Sequence, residues 1–306
     1  MRTKGAKNVI PFGKRTTVDT SSSKQVRHLA EIKGAPLNEF LGLLNHQANF
    51  LVWVDGRHQT IVTLKKEIHQ LKNVQQGKGP TGAKEGTFIK YRWYAEQQVL
   101  LDSINAFETF FKKTYVGLGV ILQPYVQPDH ERIIRINARQ LWAITGETIL
   151  PAMVPTLVFE QELFHDLDAI DRAADMLIGK RRYNKKTQNN PLAGRVKALG
   201  GIFQIRHTLS HNSGVVTDGD KAKFNDMDFT VVAKEVIDPA KNQLGMGIFK
   251  ELEAEANDFT AWLASETASF LTVCVNERGL PVPATKRQEL EALLGPFPCW
   301  ANVPWS

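Results

Sequence analysis

Apolar residues recur at intervals of three and four through nearly all of the chain beyond residue 36, a period that confines it to helices. Phe40, Leu41, Leu44, Ala48 and Leu51 form one stripe, and Ile61, Leu64, Ile68 and Leu71 a second. The run Gly77-Lys-Gly-Pro-Thr-Gly-Ala-Lys-Glu-Gly86 then breaks the period and reads as a mobile loop. It is not a phosphate-binding loop, because Ala83 follows Gly82, the Gly-Lys-Ser/Thr ending is missing and no strand precedes it.

Four long helical patterns follow. Phe88 to about Tyr115 carries Trp93, Val99, Leu100, Ile104, Phe107 and Phe111 on one face, and Arg132 to Ile149 is stopped by Pro151 and Pro155. Leu157 to Ile178 puts Leu163, Leu167, Ile170, Ala174 and Leu177 inward, with Asp168, Asp171 and Asp175 on a solvated outer face rather than at a metal. Leu192 to His211 ends where Gly214 can terminate it. Phe229 to Ile237 suits a short strand, and a fifth helix covers Leu244 to Val275, before Gly279 and Pro281. The expected fold is all-α: a bundle of about five long helices with an extra N-terminal helical segment and one short β element. The chain divides into a basic disordered tail (1–36), a helical segment with a Gly-rich loop (37–87), a helical domain (88–281) and a C-terminal packing arm (282–306).

Charge is unevenly placed. Residues 1–36 hold eight basic and two acidic side chains, which is the whole net charge of +6. A Ser/Thr-rich cationic tail suits a polyanion through phosphate contacts, a solvated terminus and a transit peptide being the alternatives. No apolar run reaches the length of a membrane span, and the first thirty residues hold no signal-peptide core, so a cytoplasmic protein is expected. Cys274 and Cys299 are too few for a disulfide framework or a four-cysteine zinc site.

Two features flank the fourth helix. Before it, Lys180, Arg181, Arg182, Lys185 and Lys186 surround Tyr183. Such a loop offers cations to phosphates and an aromatic face to a base, so these six residues are the candidate RNA contacts. At its far end stands Gln204-Ile-Arg-His-Thr-Leu-Ser-His-Asn-Ser-Gly214. Arg206 is a permanent cation with a planar fork suited to phosphate oxygens, and His207 and His211 titrate near neutrality. A base to take the ribose 2′-hydroxyl proton, an acid to protonate the leaving 5′-oxygen and a cation for the phosphate suffice to cleave RNA without metal or cofactor.

Arg206-His207-Thr-Leu-Ser-His211 resembles the Arg-polar-x-x-x-His signature of the HEPN superfamily, helical proteins that include bacterial ribonuclease toxins and defence factors. The Asn212-Ser-Gly214-Val-Val run is also similar to what often follows that signature, and the likeness spans about Phe88 to Val275. The resemblance implies a metal-independent endoribonuclease of a toxin or phage-defence type, with an antitoxin or defence-system partner. Arg206 matches the family arginine, His207 its polar neighbour and His211 its histidine. Many family ribonucleases also carry an acidic or polar residue on an earlier helix facing the motif, for which Glu108 is the candidate and Asp102 the alternative. A non-catalytic HEPN module binding RNA, a nucleotide or a protein is the competing function, and a helical interaction protein without a polyanion partner is the third.

Five steps along a regular helix turn two side chains about 140° apart, so Arg206 and His211 do not share a face. Two motif helices facing each other across a two-fold axis would resolve this, as in the family's cleft between protomers, so a homodimer through the motif helix is expected. His207 and His211 have the spacing of a zinc-binding pair, but Thr208, Leu209 and Ser210 stand where a zincin has its glutamate, so no metal is expected.

Overall fold

The computed structural model describes residues 35–63, 85–126, 155, 158–159, 162–184 and 190–306. The basic tail up to residue 34, most of the second apolar stripe and of the Gly-rich run, the pattern at Arg132–Ile149, and Lys185 and Lys186 lie outside them. The described residues are overwhelmingly helical: α1 (Pro36–Thr63), α2 (Glu85–Leu122), α3 (Leu167–Ile178), α4 (Ala193–His211), α5 (Asp218–Asp226), α6 (Leu244–Asn276) and α7 (Ala284–Leu294). Among the described residues, no helix is long and apolar enough to cross a membrane.

The central element is α2, which packs against α1, α3, α4, α6 and α7. Its apolar period brings Ile104, Phe107, Phe111, Tyr115 and Leu118 to complete burial. Phe107 stands 4.7 Å from Phe111, 5.4 Å from Phe40 of α1 and 6.4 Å from Phe203 of α4, ring centre to ring centre. Phe111 meets Phe259 of α6 edge-on at 4.8 Å. Phe40 and Leu44 enter this core from α1, and Leu290, Leu294, Trp300 and Val303 from the C-terminal arm. Truncating one such aromatic to alanine costs about 3–5 kcal/mol, so these contacts outweigh any single surface ion pair.

The third helix is shorter than its apolar pattern. It begins at Leu167, where Asp166 caps it by accepting the Asp168 amide at 3.1 Å, and it ends at Gly179, whose φ of +66° is left-handed. Leu163 falls in the preceding loop and is 64% exposed, not inward. The solvated aspartate face also needs correction, because Asp171 is only 4% exposed. Its carboxylate accepts the backbone amides of Arg182, Tyr183 and Asn184 at 2.9, 3.0 and 2.8 Å, folding the following loop back over α3. Burial pushes the Asp171 carboxyl above its ordinary range, and those amides and Arg181 pull against the rise.

The segment Phe229–Ile237 is not a strand. It makes one isolated antiparallel bridge, Val215 to Val236, with Lys234 in left-handed backbone (φ +70°) interrupting the extended run. This stretch lies against α4 because Gly201 leaves room for the Phe229 ring, which would stand 2.6 Å from a Cβ there.

Candidate functional site

The motif helix α4 is a poor helix by composition. Gly194, Gly200 and Gly201 each cost about 1 kcal/mol relative to alanine, so tertiary contacts must hold it. Its inner face supplies Leu199, Ile202, Phe203 and Ile205 to the core. Its last turn is secured by Asp220, which is 3% exposed and accepts Gln204 Nε2 at 2.8 Å, Asn212 Nδ2 at 2.9 Å and the Thr217 amide at 3.0 Å. The same residue closes the capping box of α5 with Thr217. Burial alone would raise the Asp220 carboxyl, but the Thr217 and Asn212 hydrogen bonds and the nearby His207 hold it below its ordinary range. The Thr208 carbonyl receives the amides of Asn212 and Gly214, and Gly214, at φ +80°, turns the chain out of the helix.

Arg206 leaves α4 toward α2. Its Nε donates to Asn105 Oδ1 at 2.8 Å and lies 2.9 Å from Glu108 Oε1. The N–H is aimed at Asn105, so Glu108 Oε1 makes an ion contact without a hydrogen bond. Both contacts use the inner nitrogen, and the terminal amino groups make no hydrogen bond to a described residue. Burial raises the Glu108 carboxyl above its ordinary range, opposed by Arg206 and Lys112. Asp102, the alternative to Glu108, is exposed and accepts Gln98 Nε2 at 2.9 Å.

His165, in the loop before α3, completes this cluster. Its Nδ1 is buried, makes no hydrogen bond to a described residue and stands 3.9 Å from Glu108 Oε2. Burial first, then Arg206 and His207, lower its pKa, with Asp166 acting in the opposite sense, which favours the neutral imidazole. His207 and His211 are exposed one turn apart, with ring centres at 4.7 Å. One chain thus gathers Asn105, Glu108, His165 and Arg206, with His207 close by, while His211 stands beyond His207. Among the described residues, no three His, Cys, Asp or Glu side chains are grouped to hold a metal ion.

The loop after α3 departs from its reading as an exposed RNA contact. Tyr183 is completely buried and donates through its hydroxyl to Glu255 Oε1 at 2.8 Å, so it has no face for a base. Arg182 is also committed inward, with Nε 2.9 Å from the same oxygen. Glu255, fully buried on α6, further accepts Arg195 Nη1 at 2.6 Å. Lys180 and Arg181 remain exposed, with Arg181 paired to Asp175 at 2.9 Å. The chemical logic is that a buried carboxylate needs cations and hydroxyls around it, and this loop supplies them.

Sequence reasoning missed Asn105, His165 and Glu255. Asn105 and Glu108 are three apart on α2, which puts them on one face, and Glu255 interrupts the buried apolar period Leu252–Ala256–Phe259. His165 lies in a loop, where period carries no signal. No known family model, curated protein or solved structure matches the chain.

Proposed function

We propose that the protein is a metal-independent endoribonuclease of the HEPN type, acting as a toxin or defence effector. The observation that carries this reading is the placement of Arg206: a cation held through its Nε by Asn105 and Glu108, its terminal amino groups making no hydrogen bond to a described residue, with imidazoles beside it. In the reaction, a neutral histidine takes the proton of a ribose 2′-hydroxyl, and that oxygen attacks the adjacent phosphorus. A protonated histidine gives its proton to the leaving 5′-oxygen, so the products are a 2′,3′-cyclic phosphate and a 5′-hydroxyl. Arg206 stabilises the charge gathering on the phosphate oxygens. His211 does not reach Arg206 within one chain in this account, and a homodimer through α4 brings it to the partner's cleft.

A non-catalytic module that binds RNA or a nucleotide is the second reading. The Glu108 ion contact favours it, because part of the Arg206 charge is already answered. Digestion of total RNA in EDTA separates the two. The ribonuclease reading expects fragments ending in 2′,3′-cyclic phosphate, whereas intact RNA or 3′-hydroxyl ends would reject it.

A further inference from the structure

A cavity of about 700 Å³ opens beside the motif, between α4, α5 and the loop before α3. That volume is in the range of sites that enclose most of a nucleotide-sized ligand. Its walls differ in chemistry. Phe203 and Met227 line it with apolar atoms, His165 and His207 with imidazoles on the residues that neighbour Arg206, and Lys197 and Lys223 with ammonium groups. Asp166 and Asp226 line it as well. Lys197 is answered by Asp228.

We infer that this cavity is a binding subsite for one nucleotide of single-stranded RNA, its base against Phe203 and Met227 and its phosphate toward His165, His207 and Lys223. This rests on the ribonuclease reading for the substrate class. The apolar lining calls for a flat, weakly hydrated ring rather than a bare anion. The Lys223 ammonium group and the imidazole N–H donors call for a phosphate, and the lining carboxylates accept from base amino or ribose hydroxyl groups. With acids and bases nearly balanced, the cavity suits one phosphate rather than a length of polyanion. His165 belongs to both parts of the site: it lines the cavity, and its Nδ1, buried and without a hydrogen bond to a described residue, stands beside Glu108. A phosphate resting there would therefore be adjacent to the Arg206 cluster, as cleavage next to a held nucleotide requires.

The test is a titration of the full chain with adenosine 3′-monophosphate, following the histidine ring proton signals, beside inorganic phosphate and a parallel RNA digest in EDTA. Ala193→Trp, at an exposed position on the cavity wall, fills the space, and Lys223→Ala removes a cation without filling it. Shifts of the His165 and His207 signals are expected, with affinity falling about tenfold or more in Ala193→Trp and less in Lys223→Ala. Inorganic phosphate should bind more weakly than the nucleotide. If RNA is cut but the ring signals stay still and both variants cut at the wild-type rate, the cavity assignment falls and the ribonuclease reading stands. If the nucleotide binds in the cavity and no RNA is cut, the cavity stands as a nucleotide site and the ribonuclease reading falls. Absence of both overturns both.

Discussion

Glu108 Oε1 and Arg206 Nε stand 2.9 Å apart, although the Arg206 N–H is directed to Asn105. The carboxylate is thus largely removed from water while receiving no hydrogen bond at that oxygen. A group in this position orients the guanidinium at some expense of stability.

That trade predicts opposite effects of Glu108→Gln on stability and activity. The folded-state pKa of Glu108 is raised, so its contribution to stability is present below the unfolded value and is lost as pH rises through the folded value. Glutamine keeps the shape without ionising. The variant should melt higher than wild type at pH 7, and the difference should shrink toward pH 4. RNA cleavage should fall about tenfold or more as Arg206 loses its orienting anion. Thermal melts across pH 4–8, with cleavage rates beside them, measure both.

Asp220 should act as a positioning residue without touching substrate. Asp220→Ala removes acceptors from Gln204, Asn212 and Thr217 together, and should cost about 2–4 kcal/mol. Its folded pKa is depressed, so its contribution is present above the unfolded value and lost as pH falls through the folded one. Urea unfolding of wild type and variant at neutral and acid pH should show the gap closing in acid.

The loop after α3 should separate stability from RNA affinity. Tyr183→Phe deletes the hydroxyl bond to Glu255 and should cost about 1–3 kcal/mol while leaving RNA binding unchanged. Glu255→Ala leaves Arg182 and Arg195 without their shared carboxylate and should cost about 3–5 kcal/mol. If Lys180 and Arg181 do meet RNA, neutralising each should lower the logarithmic salt slope by about 0.7. Fluorescence anisotropy of a labelled oligonucleotide over a salt series reads that slope.

Dimerisation through α4 predicts sedimentation at about twice the 34.3 kDa chain mass. Mixing His211→Ala chains with wild type should suppress cleavage more steeply than dilution, provided subunits exchange. A monomer with full activity would overturn the shared cleft.

The bundle was legible in the sequence wherever local period decides. Helices α1, α4 and α6 fall where three- and four-residue spacing puts them, α2 runs seven residues past the expected end at Tyr115 to Leu122, and the motif ends α4 at His211 as expected. The errors lie where a distant partner overrides local pattern. Asp171 looked like one of three solvated charges until a loop eleven to thirteen residues on folded onto it. Arg182 and Tyr183 looked exposed because the carboxylate that buries them, Glu255, is more than seventy residues away. Of the site, Glu108 was legible beside the motif, and the structure brings it to Arg206. His165 was not, because a loop residue reaches its neighbours through tertiary structure alone.

The proposed ribonuclease depends on Arg206 and His211 for cleavage without metal. Single-turnover cleavage of RNA in EDTA by wild type, Arg206→Ala and His211→Ala, each shown to be folded by circular dichroism, is the decisive measurement. Each variant should lose about a hundredfold or more in rate. Wild-type rates in either folded variant would refute a catalytic role for that residue.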